Sequence, residues 1–217
     1  SVNYFFAAVK HPKKFHFFSP QNPFPTCQLL AGGKNIQNMK TGFLLLFAFG
    51  VSLTSTFSQS NFPASWQGKW TGTLEIFSQK GKVQALPMEL HILPKDSTGA
   101  FTWTIIYGED KIAGARNYEL LPLDTAKGLY LIDEKNTIRM EAYLLGGKFF
   151  QWFEVQGSLL FTSTEKVGDE LIWEIISGST AAVSTTGGQQ FEREDIPPVK
   201  TFPVAILQRG RLRKVKG

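Results

Sequence analysis

Residues 137–164 read TIRMEAYLLGGKFFQWFEVQGSLLFTST, and their rhythm decides the fold. Ile138, Met140, Ala142 and Leu144 alternate along one face. After Gly146-Gly147 the alternation resumes as Phe149, Gln151, Phe153 and Val155, and after Gln156-Gly157 another strand-like run follows. A period of two is the signature of a β-strand, whose successive side chains point to opposite faces. Paired glycines accept the positive φ of a tight hairpin turn. The stretch therefore predicts consecutive antiparallel strands joined as a meander.

The same pattern extends in both directions. Further strands are predicted near 69–77, 84–93, 100–107, 115–122 and 128–133 on one side, and near 170–177 and 201–209 on the other. Leu86, Met88, Leu90 and Ile92 share a face, as do Phe101, Trp103, Ile105 and Tyr107. Glu134-Lys135-Asn136 and Val167-Gly168-Asp169 read as turns. No long helix is predicted, only a short helical turn at Phe62 to Gln67. About ten strands in one meander tend to close, because closure removes exposed edges. The predicted fold is all-β, a single up-and-down antiparallel barrel of about 8–10 strands. Residues 178–200 (GSTAAVSTTGGQQFEREDIPPVK) break the rhythm and read as a mobile loop or a lid.

The N-terminal quarter has a different character. Met39-Lys40 followed by Phe43 to Val51 (FLLLFAFGV) and the small residues to Ser58 has the order of a signal peptide. The apolar run is too short for a membrane span of about 20 residues. We expect residues 1–38 to be a non-native upstream extension, 39–58 a signal peptide, and 59–217 the working domain. That domain is about 160 residues long, enough for one core. The whole chain carries 23 basic and 18 acidic residues. Lys10, Lys13, Lys14, Lys34 and Lys40 are the only charges before Gln59, so the expected mature chain is neutral. The high overall pI is therefore no sign of nucleic-acid binding, with RGRLRKVKG at the C-terminus as the one local exception. The only cysteine, Cys27, lies in the leader, which leaves the domain without disulfides or thiolate chemistry. Export to a periplasm or the cell exterior is the expected localisation.

Several polar or aromatic residues interrupt the strands. Arg116, Tyr118, Arg139 and Tyr143 join Trp103, Tyr107, Phe153 and Trp173 as candidate ligand-binding residues. An arginine with two tyrosines is suited to hold a carboxylate through charge-assisted hydrogen bonds. An ordinary solvated outer face has the same pattern, and both readings stay open for Arg139.

Trp66-Gln67-Gly68-Lys69-Trp70-Thr71-Gly72 opens the first strand. Gly68-Lys69-Trp70 resembles the Gly-x-Trp signature of the calycin superfamily, the lipocalins and fatty-acid-binding proteins. FTWTIIYG, YLIDEKN and FEVQGSLL also resemble exported lipocalin-like proteins of Bacteroidetes-type bacteria. The resemblance implies a barrel closed at one end by a short helix. It further implies a cation from the last strand packed on Trp70. Arg209 is the expected cation, with Arg211 as the alternate. The chain departs from typical lipocalins in having neither the cysteines that tie down the C-terminus nor a clear outer helix.

Catalytic and metal signatures are absent from the sequence after Ser58. His91 is the only histidine there. No zinc spacing, phosphate loop or nucleophile elbow occurs. Nitrobindin-type barrels share a Gly-x-Trp-x-Gly start but keep a haem-ligating histidine near the C-terminus, where this chain has none. Glu154 and Glu174 are the one carboxylate pair considered for acid–base work. The expected function is non-catalytic binding or carriage of a small hydrophobic molecule, without cofactor or metal, by a monomer. A filled barrel that binds a protein and a barrel enzyme acting on a hydrophobic substrate are the alternatives. The basic C-terminus, Arg209 to Lys216, reads as a solvated, fraying tail, with contact to an anionic membrane surface as its functional alternative.

Overall fold

In the computed structural model the described residues are 61–95 and 99–216. The expected leader (1–38), the signal peptide (39–58) and Cys27 lie outside them. A single turn of 3-10 helix, Ala64–Trp66, precedes the first strand. The strands are β1 (Gly68–Ser78), β2 (Gly81–Ile92), β3 (Phe101–Tyr107), β4 (Ala115–Asp124), β5 (Leu129–Asp133), β6 (Arg139–Leu145), β7 (Lys148–Val155), β8 (Ser158–Val167) and β9 (Glu170–Ser179). Four short strands follow, β10 (Ser184–Thr186), β11 (Gln190–Phe191), β12 (Glu194–Asp195) and β13 (Val199–Thr201), and then β14 (Ile206–Lys214).

Each of β1 to β8 pairs antiparallel with the next, and β14 inserts between β9 and β1. The result is a closed ten-stranded up-and-down barrel. Closure depends on β14. It runs in unbroken register from Trp70–Lys214 to Ser78–Ile206 against β1, and from Ile206–Ser177 to Arg213–Glu170 against β9. The two backbones meet closely at Gly72, where an added Cβ would lie 1.9 Å from the carbonyl oxygen of Arg211.

Two expectations for the C-terminal part are corrected. The last barrel strand is 206–214 rather than 201–209, and the basic segment is inside it rather than fraying. Pro203 has no N–H to donate, and pairing in the barrel begins only after it. Arg209, Arg211 and Arg213 then form its outer face, paired with Glu174 and Glu170 on β9. The segment expected as a loop is a folded arm. β10 pairs with β13, and β11 with β12, as nested hairpins.

Residues directly opposite each other on paired strands share a face. The register therefore traces the inner wall from strand to strand. In a meander alternate connections share an end. The β2–β3, β4–β5, β6–β7 and β8–β9 connections lie at one end with the 3-10 turn. The β1–β2, β3–β4, β5–β6 and β7–β8 turns and the 180–205 arm lie at the other.

The first end is sealed. Phe62 stacks edge-on to Trp66 (4.8 Å) and Tyr130 (5.0 Å), and lies 5.0 Å from Phe149. Tyr130 Oη donates to the Phe62 carbonyl at 3.2 Å. Trp70 Nε1 donates to the Trp66 carbonyl at 2.9 Å, so its indole is buried with its polar atom satisfied. Ile92, Leu90, Trp103, Leu120, Ile132, Ala142, Leu171 and Leu212 complete a dry floor.

Trp70 is 1% exposed and Trp152, on the outer wall, is 69% exposed. Chemical denaturation should separate them. Trp70→Ala should lose about 3–5 kcal/mol through cavity formation. Trp152→Ala should stay within about 0.5 kcal/mol of the parent. Equal losses would mean that the floor is not where this fold is held.

Candidate binding site at the open end of the barrel

Toward the other end the inner wall changes character. Inward positions Leu86, Tyr107, Arg116, Tyr118, Met140, Gln151, Phe153, Thr162, Ser177 and Gln208 are only half-buried, although they point at the barrel axis. Half-exposed inward residues mean that solvent enters from this end. The barrel interior has an apolar floor and, toward this end, a mixed and partly solvent-exposed wall, called the cup below.

The rim on β3 and β4 carries the chemistry. Tyr107 lies opposite Met88, Tyr118 opposite Trp103, and Arg116 opposite Ile105, so all three point inward. The ring of Tyr107 meets Trp173 edge-on at 6.3 Å, from the far side of the cup. Arg116 Nη1 donates to the carbonyls of Ala115 (2.8 Å) and Ala113 (3.2 Å), which fixes its charge at the mouth. Glu134, just past β5, places its negative charge near the Tyr118 hydroxyl. Its carboxylate also accepts from Asn136 Nδ2 at 3.1 Å. Burial holds both tyrosines protonated well above the ordinary range. Glu134 adds to this at Tyr118, while the Arg116 charge opposes it at both. Two phenolic donors and one guanidinium thus face the same opening.

The candidate residues divide. Trp103, Tyr107, Arg116, Tyr118, Phe153 and Trp173 stand on the inner wall, with Trp103 and Trp173 deepest. Arg139 and Tyr143 do not join them. Both lie on the outer face of β6, where Arg139 pairs with Asp133 (3.1 Å) and Tyr143 hydrogen-bonds Glu141. On β6 the inward positions are Met140 and Ala142, opposite Ile132 and Tyr130, and strict alternation sends 139 and 143 outward.

The structural motif is also corrected in one residue. The cation over Trp70 is Lys214, with Nζ 5.8 Å from the ring, and not Arg209. Arg209 Nε instead donates to Glu174 at 2.6 Å on the outer wall. Gly68 makes room for the lysine stem. It has φ +147°, and a Cβ there would lie 2.5 Å from Lys214 Cε.

Sequence reasoning overlooked Glu134, which read only as a turn residue, and the polar row below the rim. Gln151 on β7 lies opposite Thr162 on β8, and the row continues through Ile175 to Gln208 on β14. Thr162 Oγ1 donates to Gln151 Oε1 at 3.5 Å. The Gln151 Nε2 is buried and has no hydrogen-bond partner among the described residues. An unpaired buried donor costs about 1–3 kcal/mol.

Other groups lie outside the cup. His91 Nε2 is 2.8 Å from Glu89, whose other oxygen pairs with Lys111 at 2.7 Å. Glu154 and Glu174 do not form a pair. They lie opposite Leu159 and Ser163, on the two sides of β8, and both point outward. Among the described residues no three His, Cys, Asp or Glu side chains converge as a metal site. None of the described helices is long and apolar enough to cross a membrane. One apolar row does mark the outer wall. Trp152, Phe161, Ile176, Leu207 and Phe77 are successive register partners across β7, β8, β9, β14 and β1.

No protein-family model matches the chain, and no curated protein does. Among solved structures it is similar to a protein of unknown function from the DUF3598 family of Nostoc punctiforme, at 13% identity and a TM-score of 0.48. The alignment covers 70% of this chain and 48% of that one, so this chain spans about half of that protein's length.

The tyrosines give a direct test of the wall. Tyr107, Tyr118 and Tyr130 are all held above the ordinary value of 10.0 by burial. A raised folded-state pKa stabilises the fold fully below pH 10, and that contribution is lost as pH climbs from 10 toward the folded values. Ultraviolet titration should therefore show phenolate appearing together with alkaline unfolding. Smooth titration of Tyr107 near pH 10 in the folded protein, read against Tyr107→Phe, would contradict the burial of its phenol.

Proposed function

We propose that this is an exported, monomeric lipocalin-like barrel that binds and carries a small apolar molecule with an acidic end, without catalysis. One observation carries the reading. The inner wall passes from a dry aromatic floor to a half-exposed rim where Arg116, Tyr107 and Tyr118 face one opening. Apolar depth with a few convergent polar groups is the usual composition of a small-molecule site. The floor would take the hydrocarbon part. Arg116 would hold the carboxylate by charge, with the phenols as donors, because both stay protonated at neutral pH. Glu134 sits beside this site and repels an anion, so it limits affinity. The order of residues 39–58 supports export.

Displacement of a fluorescent fatty acid tests this. Oleate should compete better than its methyl ester, and Arg116→Gln should weaken oleate about tenfold, equivalent to about 1.4 kcal/mol. Glu134→Gln should tighten oleate by removing the nearby negative charge. Equal competition by acid and ester would remove the acid-binding role of the rim. No uptake of the probe would remove the carrier reading.

The second reading, a barrel that engages a protein with its outer wall, is favoured by the Trp152–Phe161–Ile176–Leu207–Phe77 row. An exposed apolar row of this kind is typical of contact surfaces. Loss of a captured protein on Trp152→Ser, with fatty-acid uptake absent, would favour it.

A further inference from the structure

We propose that the cup selects amphipathic acids carrying a hydroxyl on the chain, and that Gln151 with Thr162 is the subsite that reads it. This deepens the carrier reading and rests on it. Gln151 stands on the inner face of β7 between Phe149 and Phe153. Its Oε1 is engaged by Thr162 Oγ1 at 3.5 Å, and its Nε2 is buried without a partner. Most buried polar atoms in folded proteins are hydrogen-bonded, and an unpaired one on a partly exposed inner wall calls for a partner that the wall itself does not supply.

A glutamine amide can present either of its two ends to Thr162. With the amide turned over, Nε2 would donate to Thr162 and Oε1 would stand unpaired instead. The missing partner is an acceptor in the first case and a donor in the second. A hydroxyl supplies both, and a plain methylene supplies neither. The neighbours are apolar on most sides. Phe153 and Leu160 form the next inward pair along the two strands, and Ile175 lies beyond Thr162 in the same row. A hydroxyl entering this wall gains a specific partner, whereas a plain chain leaves the amide unpaired. Sites built around a buried hydrogen bond reject the analogue that lacks the group.

Competition against a fluorescent fatty acid, using the full chain, tests the subsite. The competitors are stearate and a series of hydroxystearates with the hydroxyl at different carbons. At least one positional isomer should compete about tenfold better than stearate. Gln151→Leu should bring that isomer and stearate to within about twofold, and should raise the melting temperature of the ligand-free protein. Thr162→Val, which keeps the shape of the wall, should shrink the same preference. If every isomer competes like stearate, the subsite is wrong while the carrier reading stands. A preference that survives in Gln151→Leu would place the hydroxyl elsewhere and overturn the assignment. If no acid competes at all, the carrier reading falls, and the subsite falls with it.

Discussion

The structure depends on the pairing of β14 with β1. A meander of nine strands has two open edges, and each edge exposes a row of unsatisfied N–H and C=O groups. β14 satisfies both, because it bonds to β9 on one side and β1 on the other. Its sequence, ILQRGRLRK, suits that position. Ile206 and Leu212 point inward, while Arg209 and Arg213 point outward to carboxylates on β9. The same strand delivers Lys214 over Trp70, so closing the cylinder and capping the floor are one event. Gly72 is required for this, since the Arg211 backbone occupies the space of a Cβ.

Closure also makes the interior directional. The floor is stitched by Phe62, Trp66 and Tyr130 around the end of the barrel, through edge contacts worth about 0.5–1.5 kcal/mol each beyond burial. The opposite rim lacks such a plug among the described residues. It carries Tyr107, Arg116, Tyr118 and Glu134, and the arm of β10 to β13 departs from the same end. On the proposed carrier reading, an apolar floor below a polar rim would orient an amphipathic molecule hydrocarbon first. Gln151, with its unpaired Nε2, lies partway along the inner wall, where on that reading it would meet the chain rather than the head of such a molecule.

Much of this was legible in the sequence, for local reasons. Gly146-Gly147 and Gln156-Gly157 fix adjacent hairpins. The alternation at 84–93, 100–107 and 148–156 then names inward residues that the register bears out. Trp70 was legible from its glycine and its position. What escaped depends on pairings distant in sequence. Whether Arg209 or Lys214 covers Trp70 is decided by the offset of β14 against β1, across more than a hundred residues of chain. Arg139 and Arg116 look alike as strand arginines, and only the partners Asp133 and Ile105 reveal that one faces out and the other in. Glu134 belongs to a turn whose side chain reaches back to Tyr118. The arm read as a loop because its short strands are polar and carry no hydrophobic alternation. Export rests on residues outside those described.

Native mass spectrometry of the full chain, before and after denaturation with organic extraction, tests the central claim most directly. The account predicts a mass excess that disappears on denaturation and is recovered in the organic phase as an amphipathic acid. A chain at bare mass, with no mass shift on incubation with oleate or a hydroxystearate, would contradict it and leave the cup as a filled barrel serving its outer wall.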